Sequence, residues 1–225
     1  MKKLTFKGFS PVDLQSGLNI ITIENTKYFF KILQTIIGND DEIILSEDNH
    51  IMKLDKSIVY IGDPTSDFSV QKFYEKQIFD MLMVNLDDNA LQALYDMDNK
   101  IKQILWDDLI DNNLPFFVDD RYDALKLLKT QNLNIELTQY TNFFDKISSI
   151  LTIMAQMSES RIIILTNIYM YLSNDEIQQI QKVLLAEELI VIVLELGEKL
   201  RSVADIGANG WFIDDDFVFF GNQIK

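Results

Sequence analysis

Cysteine is absent from this chain of 225 residues, and histidine occurs only once. Without cysteine the protein can form neither a disulfide nor a thiolate zinc site, and it has no cysteine nucleophile. The single histidine, His50, stands in the polar segment EDNHIMK, which contains no serine, so a histidine-activated nucleophile is not indicated. We assign no catalytic residue and expect a protein that is not an enzyme.

Long apolar runs are also missing. The first ten residues, MKKLTFKGFS, are basic but are not followed by an apolar stretch of signal-peptide length. No later segment approaches the roughly 18 continuous apolar residues of a membrane-spanning helix. With 48% hydrophobic and 24% charged residues, the composition is typical of a folded globular protein. We therefore expect a soluble, cytoplasmic protein with no membrane partner.

Basic residues are in short supply. There are 20 of them against 35 acidic residues, which gives a formal net charge of -15. Contacts with nucleic-acid phosphates need lysine and arginine, so this balance argues against a nucleic-acid partner. It is compatible with a bound divalent cation, because hard cations prefer carboxylate oxygens.

A glycine-rich phosphate loop is missing from the place where the pattern would put one. Residues 18–38, LNIITIENTKYFFKILQTIIG, predict a buried strand followed by an amphipathic helix. The turn at 24–27 is Glu-Asn-Thr-Lys, without glycine, and the motif GxxxxGK[ST] occurs nowhere. Because backbone N–H groups must approach the phosphates closely, an active nucleotide hydrolase of this type is not predicted.

The hydrophobic period changes twice along the chain. Residues 1–66 and 159–225 predict α/β structure, whereas residues 67–158 have helical spacing nearly throughout. With three prolines and no internal repeat, these boundaries rest on the change of period alone. We predict an α/β head with a mainly parallel sheet, interrupted by an all-helical arm.

Two local signals in the second head segment are specific. Ser173 with Glu176 three residues later predicts a capping box that opens a helix. The run LIVIVLE at 189–195 is typical of a central parallel strand covered on both faces. The Asp-rich tail at 210–222 predicts a closing hairpin.

Polar residues stand at the ends of the predicted parallel strands: Glu24, Asp63, Asn167 and Glu195. Ligands of open parallel sheets gather beyond the carboxyl ends of the strands, so these residues could form a magnesium or calcium site or the remnant of a nucleotide site. The alternative is that they serve turns, where Asp and Asn are favoured. Both interpretations stay open from the sequence.

The arm is acidic. Residues 85–123 contain ten aspartates against two lysines and one arginine. Six of the aspartates lie near the end of a predicted helix or in the following VDDRYD segment: Asp107, Asp108, Asp111, Asp119, Asp120 and Asp123. Converging carboxylates are what calcium prefers, although no EF-hand spacing is present. The alternatives are a solvated acidic face and, for Asp119, the N-cap of the next helix.

Four landmarks in this order resemble those of one family, the double-stranded-DNA-binding ring proteins of subtype II-A CRISPR systems. The landmarks are ITIENTKYFFKILQ, IGDPTSDFSVQKF, YDALKLLKTQNLNIE, and ILTNIYMYLSNDEIQQI followed by LIVIVLE. The resemblance covers essentially the whole chain. None of the landmarks is a catalytic signature.

The resemblance implies a fold and a function. It implies a degenerate head similar to a P-loop ATPase, joined to a helical leg. Such proteins form a homotetramer, a ring with a lysine-lined channel, bind calcium through carboxylates, and thread onto free ends of linear duplex DNA. They act in spacer acquisition, the adaptation stage of antiviral defence, with the integrase complex and the guide-directed nuclease, and without known catalysis of their own.

The resemblance also implies site residues. The calcium cluster matches the six aspartates named above, but Asn112, Asn113, Leu114 and Phe117 stand where relatives often have acids. For the DNA channel, Lys126 and Lys129 match basic positions, and Lys27 lies at the turn of the head. A ring can concentrate a few lysines per subunit in its hole while its outside stays acidic. We expect DNA binding that is salt-sensitive and helped by calcium.

Two other functions remain open. One is a divergent nucleotide-binding protein that uses Glu24, Asp63 and Glu195. The other is an acidic scaffold whose apolar helices, such as 73–83, pack against a different partner protein.

Overall fold

The computed structural model describes residues 1–38, 41–133, 140–199 and 203–222, which contain ten strands, seven α-helices and two short 3-10 helices, Ile168–Met170 and Ala204–Ile206. The strands are β1 (Lys2–Phe6), β2 (Val12–Asp13), β3 (Gly17–Ile23), β4 (Ile43–Glu47), β5 (His50–Ile51), β6 (Ile58–Gly62), β7 (Ile162–Thr166), β8 (Ile190–Leu196), β9 (Asn209–Ile213) and β10 (Phe219–Asn222). The helices are α1 (Thr26–Ile36), α2 (Leu54–Ser57), α3 (Val70–Asn85), α4 (Asp88–Asp111), α5 (Ala124–Lys129), α6 (Phe143–Gln156) and α7 (Asn174–Ala186). The last residues of the landmark YDALKLLKTQNLNIE, 134–136, lie outside the described residues.

The chain forms two compact units. One consists of Met1–Phe68 with Leu137–Lys225, and the other of Ser69–Glu136. The first contains all ten strands, and the second contains α3, α4 and α5. The predicted arm, 67–158, also included α6, which here groups with the α/β unit. A helical period shows that one face of a helix is buried, but it does not show which unit covers that face.

The α/β unit is built on a six-stranded sheet with the order β10-β9-β3-β8-β7-β6. All its neighbouring strands are parallel except β10, which pairs antiparallel with β9 and closes the sheet as a hairpin. β8 has a parallel strand on each side and buries five of its seven residues. The predicted α/β class, the mostly parallel sheet, the central strand and the closing hairpin are confirmed.

A second sheet was not predicted. Its four antiparallel strands have the order β2-β1-β4-β5. In β1 the apolar side chains of Leu4 and Phe6 are buried, while the alternate residues Lys3 and Thr5 are half-buried. This period of two is the pattern of a strand with one face on the core, and it is present in the sequence.

The turn between β3 and α1 is a helix cap. The Asn25 side chain accepts a hydrogen bond from the N–H of Tyr28 at 2.9 Å, which starts α1. The helix then buries Phe29, Ile32 and Ile36 in the core of the α/β unit. The Asn25 side chain therefore stabilises this turn. In a phosphate loop, the backbone N–H groups of glycine residues would occupy the same position.

A buried side-chain amide connects helix α7 to the beginning of strand β3. The Gln181 side chain accepts a hydrogen bond from the N–H of Leu18 at 2.6 Å and donates one to the carbonyl oxygen of Gly207 at 2.7 Å. Gly17 has a φ of +92°, and a Cβ built on it would lie 2.7 Å from the Gln181 amide. Glycine at 17 thus supplies both the backbone conformation and the space for Gln181.

None of the helices in the described ranges is both long enough and apolar enough to cross a membrane.

Candidate functional site

The position of the missing phosphate loop is filled by acidic side chains. Glu24 accepts a hydrogen bond from the backbone N–H of Asp215 at 3.1 Å, and the Asn25 amide donates to the Asp215 carboxylate at 2.6 Å. A shallow pocket here is lined by Glu24, Asp215 and Glu198, with Lys27 as its basic residue. Because three carboxylates face one lysine, the local charge repels phosphate groups.

Asp63 and Asn167, at two of the other strand ends, each accept a hydrogen bond from a backbone N–H group. Asp63 accepts a hydrogen bond from the N–H of Thr65 at 2.7 Å, within a turn. Asn167, with a left-handed φ of 51°, accepts one from the N–H of Leu196 at 3.1 Å. The Asp63 contact favours the turn interpretation, and the Asn167 contact joins the ends of the neighbouring strands β7 and β8. Both side chains therefore have structural roles.

Glu195 differs from the other strand-end residues because it lies inside β8 and is buried. Its side chain is 1% exposed, and one carboxylate oxygen accepts a hydrogen bond from the N–H of Tyr169 at 3.2 Å. In the described ranges no group of three or more His, Asp or Glu residues is placed to hold a metal ion, at the strand ends or elsewhere.

In the arm, α4 ends on three carboxylates. Asp107, Asp108 and Asp111 all lie in its last turn or just before it, and that turn contains no basic residue. The Asn112 amide donates to the Asp108 carboxylate at 3.0 Å. Negative charge at a helix C-terminus is unfavourable, because the last carbonyl groups already carry partial negative charge. This end of α4 therefore favours a cation nearby.

The VDDRYD segment uses its aspartates for internal contacts. Asp119 accepts two hydrogen bonds from the Arg121 guanidinium, at 2.7 and 2.9 Å, and this partner lowers the pKa of Asp119 to about 2. Asp123 is the N-cap of α5 and accepts a hydrogen bond from the N–H of Lys126 at 2.9 Å. The prediction that Asp119 is the N-cap of this helix is wrong, because the N-cap is Asp123, four residues later.

A lysine that the sequence did not single out lies beside this segment. The Lys102 ammonium is 2.6 Å from the Asp98 carboxylate and donates hydrogen bonds to the carbonyl oxygens of Arg121 at 2.8 Å and Asp120 at 3.2 Å. A cavity between α4, the segment and α5 is lined by three cationic side chains and three carboxylates: Lys102, Arg121, Lys126, Asp98, Asp119 and Asp123. The cavity wall is therefore nearly neutral and is not a preformed cage of carboxylates.

The predicted DNA-binding lysines are accessible. Lys126 and Lys129 are three residues apart in α5 and so lie on neighbouring positions of its surface. Among the described residues neither has a carboxylate within 4.0 Å of its ammonium group, and the Lys129 ammonium lies 5.8 Å from the centre of the Phe79 ring. Lys27 is exposed in the first turn of α1, in the α/β unit.

Helix α4 presents an uncovered apolar row. None of its 24 residues is buried. Met97, Ile101 and Ile104 are 57%, 49% and 68% exposed, and their spacing places them on one face. Contiguous apolar surface of this kind marks an interaction site more often than a solvated face.

Comparison with known proteins identifies the family. The family model described as CRISPR-associated protein (Cas_Csn2) matches residues 36–217, which is well over half of the chain. The chain belongs to this family of CRISPR-associated proteins, found in subtype II-A systems, and the predicted resemblance is confirmed. No curated protein matches the chain.

One solved structure with a similar chain is a bacterial Atm1-family ABC exporter with ATP bound. The match has 12% sequence identity and a TM-score of 0.41, and it covers 95% of this chain. This chain spans 37% of the length of the exporter chain. At this level the similarity supports no conclusion about fold or nucleotide binding.

Proposed function

We propose that this CRISPR-associated protein is non-catalytic, forms a homotetrameric ring, and binds the ends of linear double-stranded DNA during spacer acquisition. Its partners in that process are the integrase complex and the guide-directed nuclease. The observation that carries the proposal is the family match over residues 36–217. The DNA, the ring and the partners follow from the resemblance to ring proteins of subtype II-A systems.

The absence of a phosphate loop supports a role without nucleotide hydrolysis. The turn at 24–27 caps α1 through Asn25 and faces the carboxylates of Glu198 and Asp215. A nucleotide placed here would meet negative charge and a side chain in place of glycine backbone N–H groups. The same strand and helix still supply core residues, so we interpret the turn as scaffold.

The lysines of α5 support DNA contact. Lys126 and Lys129 are exposed on one short helix, and ammonium groups without carboxylate partners are free to meet phosphates. The net charge of -15 opposes DNA binding by a single chain. In a ring, four copies of this lysine pair would lie around one central hole, which raises the positive charge there. A closed ring would also retain the duplex without tight contacts.

The apolar row of α4 supports association with another protein surface. Burying Met97, Ile101 and Ile104 against a second copy of the chain would remove their exposed apolar area from water. The same row also supports the alternative of an acidic scaffold for a different protein. Sedimentation of the pure protein separates the two, because the ring requires a tetramer at micromolar concentration and the scaffold alternative is satisfied by a monomer.

Calcium belongs to the proposal as an aid to DNA binding. The carboxylates at the end of α4 repel both one another and DNA phosphates, so a divalent cation near Asp107 and Asp111 should strengthen binding. In this role the ion neutralises charge. It does not have to be enclosed by all six aspartates that the resemblance implies.

A gel-shift experiment with one plasmid in two forms tests the proposal. The same sequence is offered as a covalently closed circle and after a single restriction cut, in calcium and in chelator. We expect binding to the linear form only, stronger with calcium and weaker as salt rises. Equal binding of circle and linear DNA would contradict threading from an end.

A further inference from the structure

The Lys102 ammonium lies in a site built of oxygen atoms. It contacts the Asp98 carboxylate at 2.6 Å and the carbonyl oxygens of Arg121 and Asp120 at 2.8 and 3.2 Å. Two of its three N–H donors are used by the carbonyl oxygens, and the Asp98 carboxylate is its ion-pair partner. The side chains of Lys102 and Asp98 are only 17% and 18% exposed. Carboxylate and backbone carbonyl oxygens are also the ligands that calcium prefers.

These contacts join two segments that are separated in the sequence. Asp98 and Lys102 lie one turn apart on α4, whereas the carbonyl oxygens come from the loop at 118–122. Tyr122 of the loop also contacts the same helix, because its ring meets the Tyr95 ring edge-on at 5.2 Å and its hydroxyl donates a hydrogen bond to the carbonyl oxygen of Leu91 at 3.5 Å. Lys102 therefore supplies a charged contact between the loop and α4, with two hydrogen bonds to the backbone of the loop.

The charges around this contact are already balanced. Three cationic groups, those of Lys102, Arg121 and Lys126, line the same cavity as three carboxylates. The Asp119 carboxylate is occupied by the Arg121 guanidinium. A divalent cation entering the cavity would add two positive charges to a nearly neutral wall, so these residues do not fit a calcium site as they stand.

We propose that Lys102 is a built-in cation that holds the 118–122 loop against α4, in the place where a metal ion would otherwise be required. The loop then keeps its conformation without calcium. This inference is independent of the proposed function, because it concerns the fold of the arm and makes no use of DNA. It is also compatible with calcium acting outside the loop, at the end of α4.

Cleavage at Arg121 by an arginine-specific protease tests the proposal. The chain has three arginines, Arg121, Arg161 and Arg201, so the fragments are easily assigned by mass spectrometry. The variant is Lys102→Met, and the matched control is Lys100→Met, which removes the same charge from an exposed site on the same helix. Trp106, which borders the loop beside Val118 and Asp119, gives a second readout by its fluorescence in a Trp211→Phe background.

In the wild type we expect the same cleavage rate at Arg121 in chelator and in calcium. In Lys102→Met we expect cleavage that is faster by about tenfold or more. Hydrogen bonds to a charged group lower the population of the open loop by at least this factor, and the rate of proteolysis follows that population. Trp106 emission should shift in this variant, and both readouts should be unchanged in Lys100→Met.

Two results would overturn the proposal. If chelator alone accelerates cleavage of the wild type at Arg121 by about tenfold or more over the rate in calcium, a metal ion holds the loop. If Lys102→Met is cleaved like the wild type, the ammonium does not hold it. The first comparison needs no variant, so it decides the question even if Lys102→Met fails to fold.

Discussion

Replacing Gln181 by leucine should lower the free energy of unfolding of the α/β unit by about 1–3 kcal/mol. Gln181 is 2% exposed and makes two short hydrogen bonds, to the N–H of Leu18 and the carbonyl oxygen of Gly207. Leucine leaves the buried N–H of Leu18 unpaired, at a cost of roughly 1–3 kcal/mol. The carbonyl oxygen of Gly207 belongs to an exposed residue and can bond to water instead, so its loss costs about 0.5–1.5 kcal/mol, and the apolar side chain of leucine recovers a part.

Urea unfolding followed by the emission of Trp211 measures this loss. Trp211 is 2% exposed and lies in β9, paired with Ile21 of β3, so it reports on the sheet that Gln181 supports. With a slope of about 2 kcal/mol per molar urea, the midpoint should fall by about 0.5–1.5 M. The matched control is Gln179→Leu, two positions earlier on the exposed side of α7, which should leave the midpoint nearly unchanged.

The result that would refute this reasoning is a Gln181→Leu midpoint equal to that of the wild type. The buried amide would then contribute nothing to the attachment of α7 to β3. A fall of similar size in both variants would instead show that leucine is poorly tolerated anywhere on this helix.

Three further predictions concern the N-cap of α7, the Asp119 carboxylate and the two lysines of α5. Ser173→Ala removes the N-cap of α7 and should cost about 1 kcal/mol of unfolding free energy, measured by the same urea titration. Asp119 has a pKa lowered from 3.8 to about 2, so the stability it gives the loop is complete above 3.8 and is lost as the pH falls through about 2; carboxyl NMR should find its midpoint there, and a midpoint near 4 would contradict the pairing. The double variant Lys126→Glu, Lys129→Glu should weaken DNA binding and reduce the salt slope by about 0.9 for each lost phosphate contact, whereas Lys182→Glu on α7 should change neither.

The features that the sequence predicted correctly depend on residues that are close in the chain. The capping box of α7 needs only Ser173 and Glu176, three residues apart, and the structure has both of its hydrogen bonds. The central strand β8 follows from an unbroken apolar run, because only a strand covered on both faces tolerates such a run. In each case the information is local, so the period and spacing were sufficient.

Other features depend on contacts between distant segments. The Lys102 ammonium meets carbonyl oxygens 18 and 19 residues further on, and no sequence period marks such a contact. The assignment of Asp119 as an N-cap was wrong because two aspartates compete for that role, and only the start of α5 shows that Asp123 takes it. The antiparallel sheet was missed for a different reason, since the alternation of Leu4 and Phe6 with polar residues was present but short.

For the candidate site, too, some features could be predicted from the sequence and others depend on contacts that only the structure shows. The missing glycines at 24–27 were visible in the sequence, and the structure adds the cap at Asn25 and the acidic neighbours. The six aspartates of the arm were also visible as a cluster. Their sequence spacing could not show that Asp119 and Asp123 are engaged by Arg121 and by the backbone of α5.

The most direct test of end binding uses one linear duplex with biotin at both ends. The protein is added before or after streptavidin blocks the ends, and the complexes are compared after a salt challenge. Threading predicts no binding when the ends are blocked first, and salt-resistant retention when they are blocked after loading. Equal binding in the two orders would contradict the central claim, because contact with the sides of the duplex would then be sufficient.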